Sequence, residues 1–327
     1  MAGKLRIGFI GAGGISIGHY QRLLETKKAE VTALNDPSPE SIRRFHKLCP
    51  GSEKLPVYTD YRDMLKAEKL DGVLILSPHM VHYDQIRNSL KQGLHVLTEK
   101  PMVCSIRHAK ALLELKEKCP QVLMISYQRH FDPVFRYMRA QIEKGALGEV
   151  QFVQAVLSQE WLRATRNTWR QILEESGGGQ INDSGSHLVD ILMWVTGMKV
   201  REVFAAQENF DVPVDINSAL TMTFANGALG NLSVIGNAPG WYEDHTIVGS
   251  KGAFYYRQGL GLIQQDAVGR PVKVKLPKYA KNPDSNFVDA ILGRDVPQTP
   301  PEIGLRVIEV TEAAWKSAAS GKPVRVP

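Results

Sequence analysis

The chain has 327 residues, 43% of them hydrophobic and 23% charged. That is too long for one ordinary core and too well mixed for a disordered or fibrous chain, so two globular domains are expected. Its 40 basic and 34 acidic side chains give a formal charge of +6 at pH 7 and a pI near 9.1, but they are spread in ones and twos. A solvated surface is the reading, with no stripe for nucleic acid. No apolar run reaches membrane-spanning length, and the first residues read as a strand rather than a secretory leader. Cys49, Cys104 and Cys119 have neither zinc-ligand spacing nor an even count for pairing, which fits a reducing cytoplasm.

The first predicted element is an apolar strand at Leu5 to Ile10, which runs into Gly11-Ala12-Gly13-Gly14-Ile15-Ser16. The spacing describes a strand, a tight turn and a helix N-terminus whose N–H groups face an anion. Glycine lets the backbone approach a pyrophosphate, and Ser16 stands where a third glycine is usual. Residues 15–25 have helical spacing, 30–35 form a second strand, and Asp36 ends it, about twenty residues beyond the glycines. A carboxylate there accepts from both ribose hydroxyls and repels a 2′-phosphate, which favours NAD over NADP.

A polar-faced helix over 38–48 follows, with Ser38 as N-cap. Then come an unbroken apolar strand at 71–77, a helix at 80–91, a strand at 95–98, a helix at 106–118 and a strand at 122–126. Such alternation requires crossovers and hence an α/β, doubly wound parallel sheet, assigned to residues 1–126. Two strand ends carry polar residues where such sheets place ligands: Ser77-Pro78-His79-Met80-Val81-His82 and Thr98-Glu99-Lys100-Pro101.

From residue 127 onward the pattern changes. A helix over 132–144 precedes alternating strands at 150–157, 219–224 and 228–235, broken by Asn226-Gly227 and by Gly249 to Gly252. This predicts a second, α+β domain over 127–327, built on a large, mainly antiparallel open sheet whose uncovered face suits a homodimer or homotetramer. Within it, Ser176 to Asp190 is a glycine-rich approach to a helix that ends at Gly197. Leu188, Ile191, Leu192 and Val195 form its apolar stripe, with Asp183, His187, Asp190 and Trp194 on the adjacent one. The dipole at a helix start favours a neutral His187, as a general base needs, while a nearby carboxylate opposes it.

These motifs resemble the Gfo/Idh/MocA oxidoreductase family. The likeness rests on GFIGAGGIS, SPHMVH, GLHVLTEKPM, the Gln128 to Pro133 and Gly145 to Val150 runs, Trp169-Arg170, the GGG…Asp-x-Gly-x-His-x-x-Asp stretch and the tail from Phe287 to Val326. It covers essentially the whole chain and implies an N-terminal Rossmann domain, a cis Lys100–Pro101 bond, and Lys100, Asp183 and His187 as the catalytic set. NAD would be held by Gly11, Gly13, Gly14, Ile15, Asp36, Ser77, His79, His82, Glu99, Lys100, Gln128, Trp169 and Arg170. A small sugar or polyol would meet Lys100, Tyr127, Arg163, Trp169, Asp183, His187 and Trp241; Trp161, Arg170 and Tyr242 are further pocket residues or core. The implied activity is hydride transfer between a secondary alcohol and NAD, with NADP second. Two alternatives stay open: a redox-neutral sugar enzyme that recycles its NAD, and a non-catalytic cofactor sensor.

Overall fold

The computed structural model describes residues 3–327. The chain divides into two compact units. One comprises the chain up to Val103 with Arg107–Gln128 and Lys281–Gly304; the other comprises Cys104–Ile106, Arg129–Ala280 and Leu305–Pro327.

The first unit is built on six parallel strands: β1 (Leu5–Ile10), β2 (Ala29–Asn35), β3 (Val57–Tyr58), β4 (Gly72–Ile75), β5 (His95–Thr98) and β6 (Leu123–Ile125). Their order, β3-β2-β1-β4-β5-β6, is that of a dinucleotide-binding fold. Helices α1 (Gly14–Glu25), α2 (Pro39–Leu48), α3 (Tyr61–Ala67), α4 (His82–Lys91) and α5 (Ile106–Lys116) form the crossovers. Ile7, Phe9, Ile10, Val73, Leu74, Ile75, Val96 and Leu97 are fully buried, as parallel strands covered on both faces must be. Ser38 caps α2 by accepting from the Ser41 N–H at 3.2 Å. The helix expected from residue 80 starts instead with a 3-10 turn at His79–Val81.

Residues 281–304 correct the expected domain boundary, which gave everything beyond 126 to the second domain. They pack with the first unit because their polar groups are satisfied there. The Ile125 N–H on edge strand β6 donates to Thr299 O at 2.9 Å, and Thr299 Oγ1 donates to Ile125 O at 2.5 Å. Lys28 meets Asp289 at 2.7 Å. Helix α10 (Pro283–Ile291) is opened by a capping box between Asn282 and Ser285.

The second unit carries nine strands: β7 (Val150–Glu160), β8 (Val200–Glu208), β9 (Asn217–Phe224), β10 (Leu229–Ile235), β11 (Asn237–Gly249), β12 (Gly252–Arg257), β13 (Gly261–Asp266), β14 (Pro271–Val272) and β15 (Val324–Arg325). Their order is β14-β13-β12-β11-β7-β10-β9-β8-β15, and all pairs are antiparallel except β7 with β10. Alternating burial along β8, β9 and β10 leaves one face covered and one open, as the alternating sequence predicts. Helices α6 (Pro133–Glu143) and α9 (Gly185–Thr196) belong to this unit, with short turns α7 (Trp161–Ala164) and α8 (Leu173–Ser176) leading towards α9. A last helix, α11, spans Pro301–Ser320.

Candidate active site

In the first unit the glycine turn follows from its backbone. Gly11 has φ +102°, and a Cβ there would lie 2.7 Å from the Leu76 carbonyl carbon and oxygen, so only glycine fits. Gly13, by contrast, opens on free space, with no atom within 4 Å of a Cβ position. It precedes α1, whose first turn has neither a side-chain cap nor an acidic residue. N–H groups beside open space make a cradle for an anion. Ser16 is fully buried and donates its hydroxyl to Gly13 O at 2.6 Å, so serine closes the turn against the helix. Asp36 Oδ2 accepts from the Ala12 N–H and Oδ1 from the Ser38 N–H, both at 2.8 Å. The carboxylate is thereby fixed at the end of β2, beside the glycine turn. These residues fit a dinucleotide: glycines for the pyrophosphate, Asp36 for a ribose.

The next two strand ends lie in the same unit. The Lys100–Pro101 peptide is cis. The Glu99 N–H donates to Ile75 O at 2.8 Å, and Glu99 Oε2 accepts from the Lys100 N–H at 3.2 Å. His82 is fully buried, with Nδ1 2.9 Å from Pro101 O and Nε2 3.0 Å from Ser77 O. His82 thus lies between the two turns, within reach of a carbonyl of each, where the sequence placed it among cofactor ligands. Burial lowers its pKa. His79, also buried, sets its ring centre 6.0 Å from that of His82 in an edge-on arrangement, and Ser77 Oγ donates to Gln85 Oε1 at 2.5 Å. Ile15 is half exposed, Gln128 is exposed, and Tyr127 is fully buried.

In the second unit the glycine-rich run is pinned by one buried carboxylate. Asp215 accepts from the N–H groups of Gly179 at 3.0 Å and Ile181 at 2.8 Å, and from Trp315 Nε1 at 2.9 Å. Burial pushes its carboxyl up against these hydrogen bonds. A Cβ on Gly179 would stand 1.9 Å from Asp215 O. Asp183 follows, its N–H on Gly179 O at 3.1 Å, just before the N-cap Ser184. Asp183 Oδ2 accepts from Trp161 Nε1 at 2.9 Å and Arg170 Nε at 3.0 Å. His187 lies in the first turn of α9; it and Asp183 are both buried.

Arg170 therefore holds Asp183, with its guanidinium 4.5 Å from the Trp169 ring centre, although the sequence assigned it to the cofactor. Trp161 is a core residue, packed with Val214 and Ile216, and it also supplies that second hydrogen bond to Asp183. Arg163 points to solvent, with a weak 3.9 Å pair to Glu160. Trp241 and Tyr242 are exposed on β11. Sequence reading missed the Arg129–Glu243–His245 cluster of this unit: Arg129 donates twice to Glu243, and His245 Nε2 meets Glu243 Oε1 at 2.8 Å. Burial raises the Glu243 pKa, but His245 and Arg129 outweigh it and lower the value to about 2. A glutamate alternating into the covered face of a strand was the available signal.

Comparison with known proteins agrees with this geometry. Residues 5–127 match the family model described as the oxidoreductase family, NAD-binding Rossmann fold, and residues 135–255 match the GFO/IDH/MocA C-terminal domain. The rhizopine catabolism protein MocA of Rhizobium meliloti is 30% identical over 60% of this chain, an alignment that spans 58% of that protein. Myo-inositol 2-dehydrogenase of Thermotoga maritima is 26% identical over 77% of this chain and 75% of its own. A levoglucosan dehydrogenase in complex with NADH superposes with a TM-score of 0.85 at 21% identity, covering 99% of both chains, a likeness of fold.

Proposed function

The chain belongs to the Gfo/Idh/MocA family of oxidoreductases, with an NAD-binding Rossmann domain, and from that we propose that it transfers a hydride between NAD and a secondary alcohol of a sugar or cyclic polyol. The observation that carries the reading is Asp183, fixed by Trp161 and Arg170 one turn ahead of His187 at the start of a buried helix. A buried carboxylate tied down beside a histidine is an acid–base arrangement rather than a surface cap.

NAD, when bound, supplies the hydride acceptor. His187 takes the hydroxyl proton, Asp183 orients an adjacent hydroxyl, and Lys100 donates to the substrate oxygen and stabilises the developing negative charge. Asp36 selects NAD over NADP by accepting from the ribose hydroxyls. The inositol and sugar dehydrogenases among the relatives support this substrate class. A panel of sugars and inositols, followed by NADH absorbance with NADP in parallel, tests it. Growth of NADH with at least one compound is the expected result; silence across the panel from protein that carries non-exchangeable NAD points instead to a redox-neutral sugar enzyme.

The open face of the second unit's sheet carries Phe204, Leu229 and Ile263, each more than 40% exposed. A second copy of the chain covers such a face in a homodimer or homotetramer, and light scattering at working concentration checks it. No helix among the described residues is long and apolar enough to cross a membrane. The cytoplasmic assignment rests on the three unpaired cysteines.

A further inference from the structure

We propose that His19 and Asp284 are positioning residues for Lys100, forming with Arg22 and Glu99 a chain of charges, buried at its centre, that fixes the backbone from which the Lys100 side chain departs. The proposal rests on the reading of Lys100 as an active-site residue. All of these groups lie in the first unit.

His19 sits on the inward stripe of α1 with Ser16, Tyr20 and Leu23, and it is fully buried. Its Nδ1 is 2.6 Å from Asp284 Oδ1, and its Nε2 is 3.0 Å from Glu99 Oε1. A carboxylate opposite each ring nitrogen requires both nitrogens to carry a proton, so the ring is an imidazolium. Asp284, also fully buried, takes Arg22 Nε on its other oxygen at 2.5 Å. Two cations thus face two anions, the condition under which such groups can be buried. Burial pulls the His19 pKa down, but Asp284 and Glu99 outweigh it and lift the value to about 9. Burial likewise raises Glu99, and His19 with Lys100 and Ser126 brings it to about 2.

The far end of the chain reaches Lys100. Glu99 presents Oε1 to His19 and Oε2 to the Lys100 N–H, so its carboxylate bridges helix α1 to the backbone of Lys100. On the other side Pro101 O is held by His82. Stability alone does not account for this arrangement, because well-packed apolar groups of similar volume serve stability as well or better. What apolar groups lack is the ability to aim one carboxylate oxygen at one N–H. The network also joins the helix that carries the nucleotide turn to Asp284, which enters from α10 near the other end of the sequence.

Two measurements need no substrate. In 15N-histidine spectra of the wild type, the His19 ring should show two protonated nitrogens from about pH 6 to about pH 8. In protein acetylated with acetic anhydride and read by mass spectrometry, H19Q and D284N should each change the Lys100 labelling rate by about five-fold or more, with exposed Lys66 as the internal control. Where the panel supplies a substrate, both variants should lose about ten-fold or more in kcat with KM little changed, and D284E should recover part of the loss. A singly protonated His19 ring at neutral pH overturns the proposal, as does Lys100 labelling at the wild-type rate in both variants. Should neither variant fold, the wild-type spectrum decides. A wild type that turns over nothing counts against the dehydrogenase reading, whereas the spectra and labelling still decide this one.

Discussion

At the scale of residues, Asp183 and His187 gain their meaning from their neighbours. An aspartate four residues before a histidine is common at helix starts; an aspartate that accepts from both Trp161 and Arg170 is constrained to one orientation. Replacing His187 by alanine should therefore lower kcat by about 10²–10⁴-fold while NAD affinity, measured by calorimetry, stays close to wild type. Replacing Arg170 by alanine removes one of the hydrogen bonds that orient Asp183 and should lower kcat by about ten-fold or more in steady-state assays. Replacing Asp36 by serine should raise KM for NAD by about ten-fold and narrow its preference over NADP, checked by assays with both cofactors. The sequence singles out Asp36, Lys100, Asp183 and His187 because each sits at a motif's fixed offset. His19 and Asp284 were not legible, since their contact joins positions 265 residues apart. The one local hint was a polar side chain in the buried stripe of α1.

At the scale of elements, the parallel strands of the first unit could be read directly, because burial on both faces leaves short, uniformly apolar runs. Strand β11 could not. Its alternation is broken by a register shift between Asn237 and Tyr242, and Pro239-Gly240 reads as a turn. Helix α9 shows only a partial stripe in sequence because Trp194 is its one residue that is not buried. The glycine run before it has a sharper physical content than flexibility. With the Asp215 carbonyl oxygen 1.9 Å from a Cβ position on Gly179, alanine there must displace the loop that delivers Asp183. G179A should cost about 2–4 kcal/mol in denaturant unfolding and lose activity even in the fraction that folds.

At the scale of the whole molecule, the return of residues 281–304 to the first unit makes that unit depend on both ends of the sequence. Its composition gave no sign of this: Asn282-Pro283-Asp284-Ser285 reads as an ordinary helix start, and only the fold reveals where Asp284 is spent. The pH dependence of stability follows. His19, raised from 6.5 to about 9 in the folded protein, contributes stability that is full below about pH 6.5 and is lost as pH rises through about 9. Wild type should thus lose on the order of 2–3 kcal/mol between those limits, and H19Q much less, in thermal melts compared across that window.

In the mechanism proposed for this chain, a proton leaves the substrate hydroxyl for His187 as hydride leaves for NAD. This step is tested most directly by following NADH formation from the best sugar or inositol substrate with wild type and H187A, each saturated with NAD as measured by calorimetry. The wild type should form NADH, and NAD-saturated H187A should form it at a rate lower by about 10²-fold or more. Turnover by H187A close to that of the wild type would contradict it.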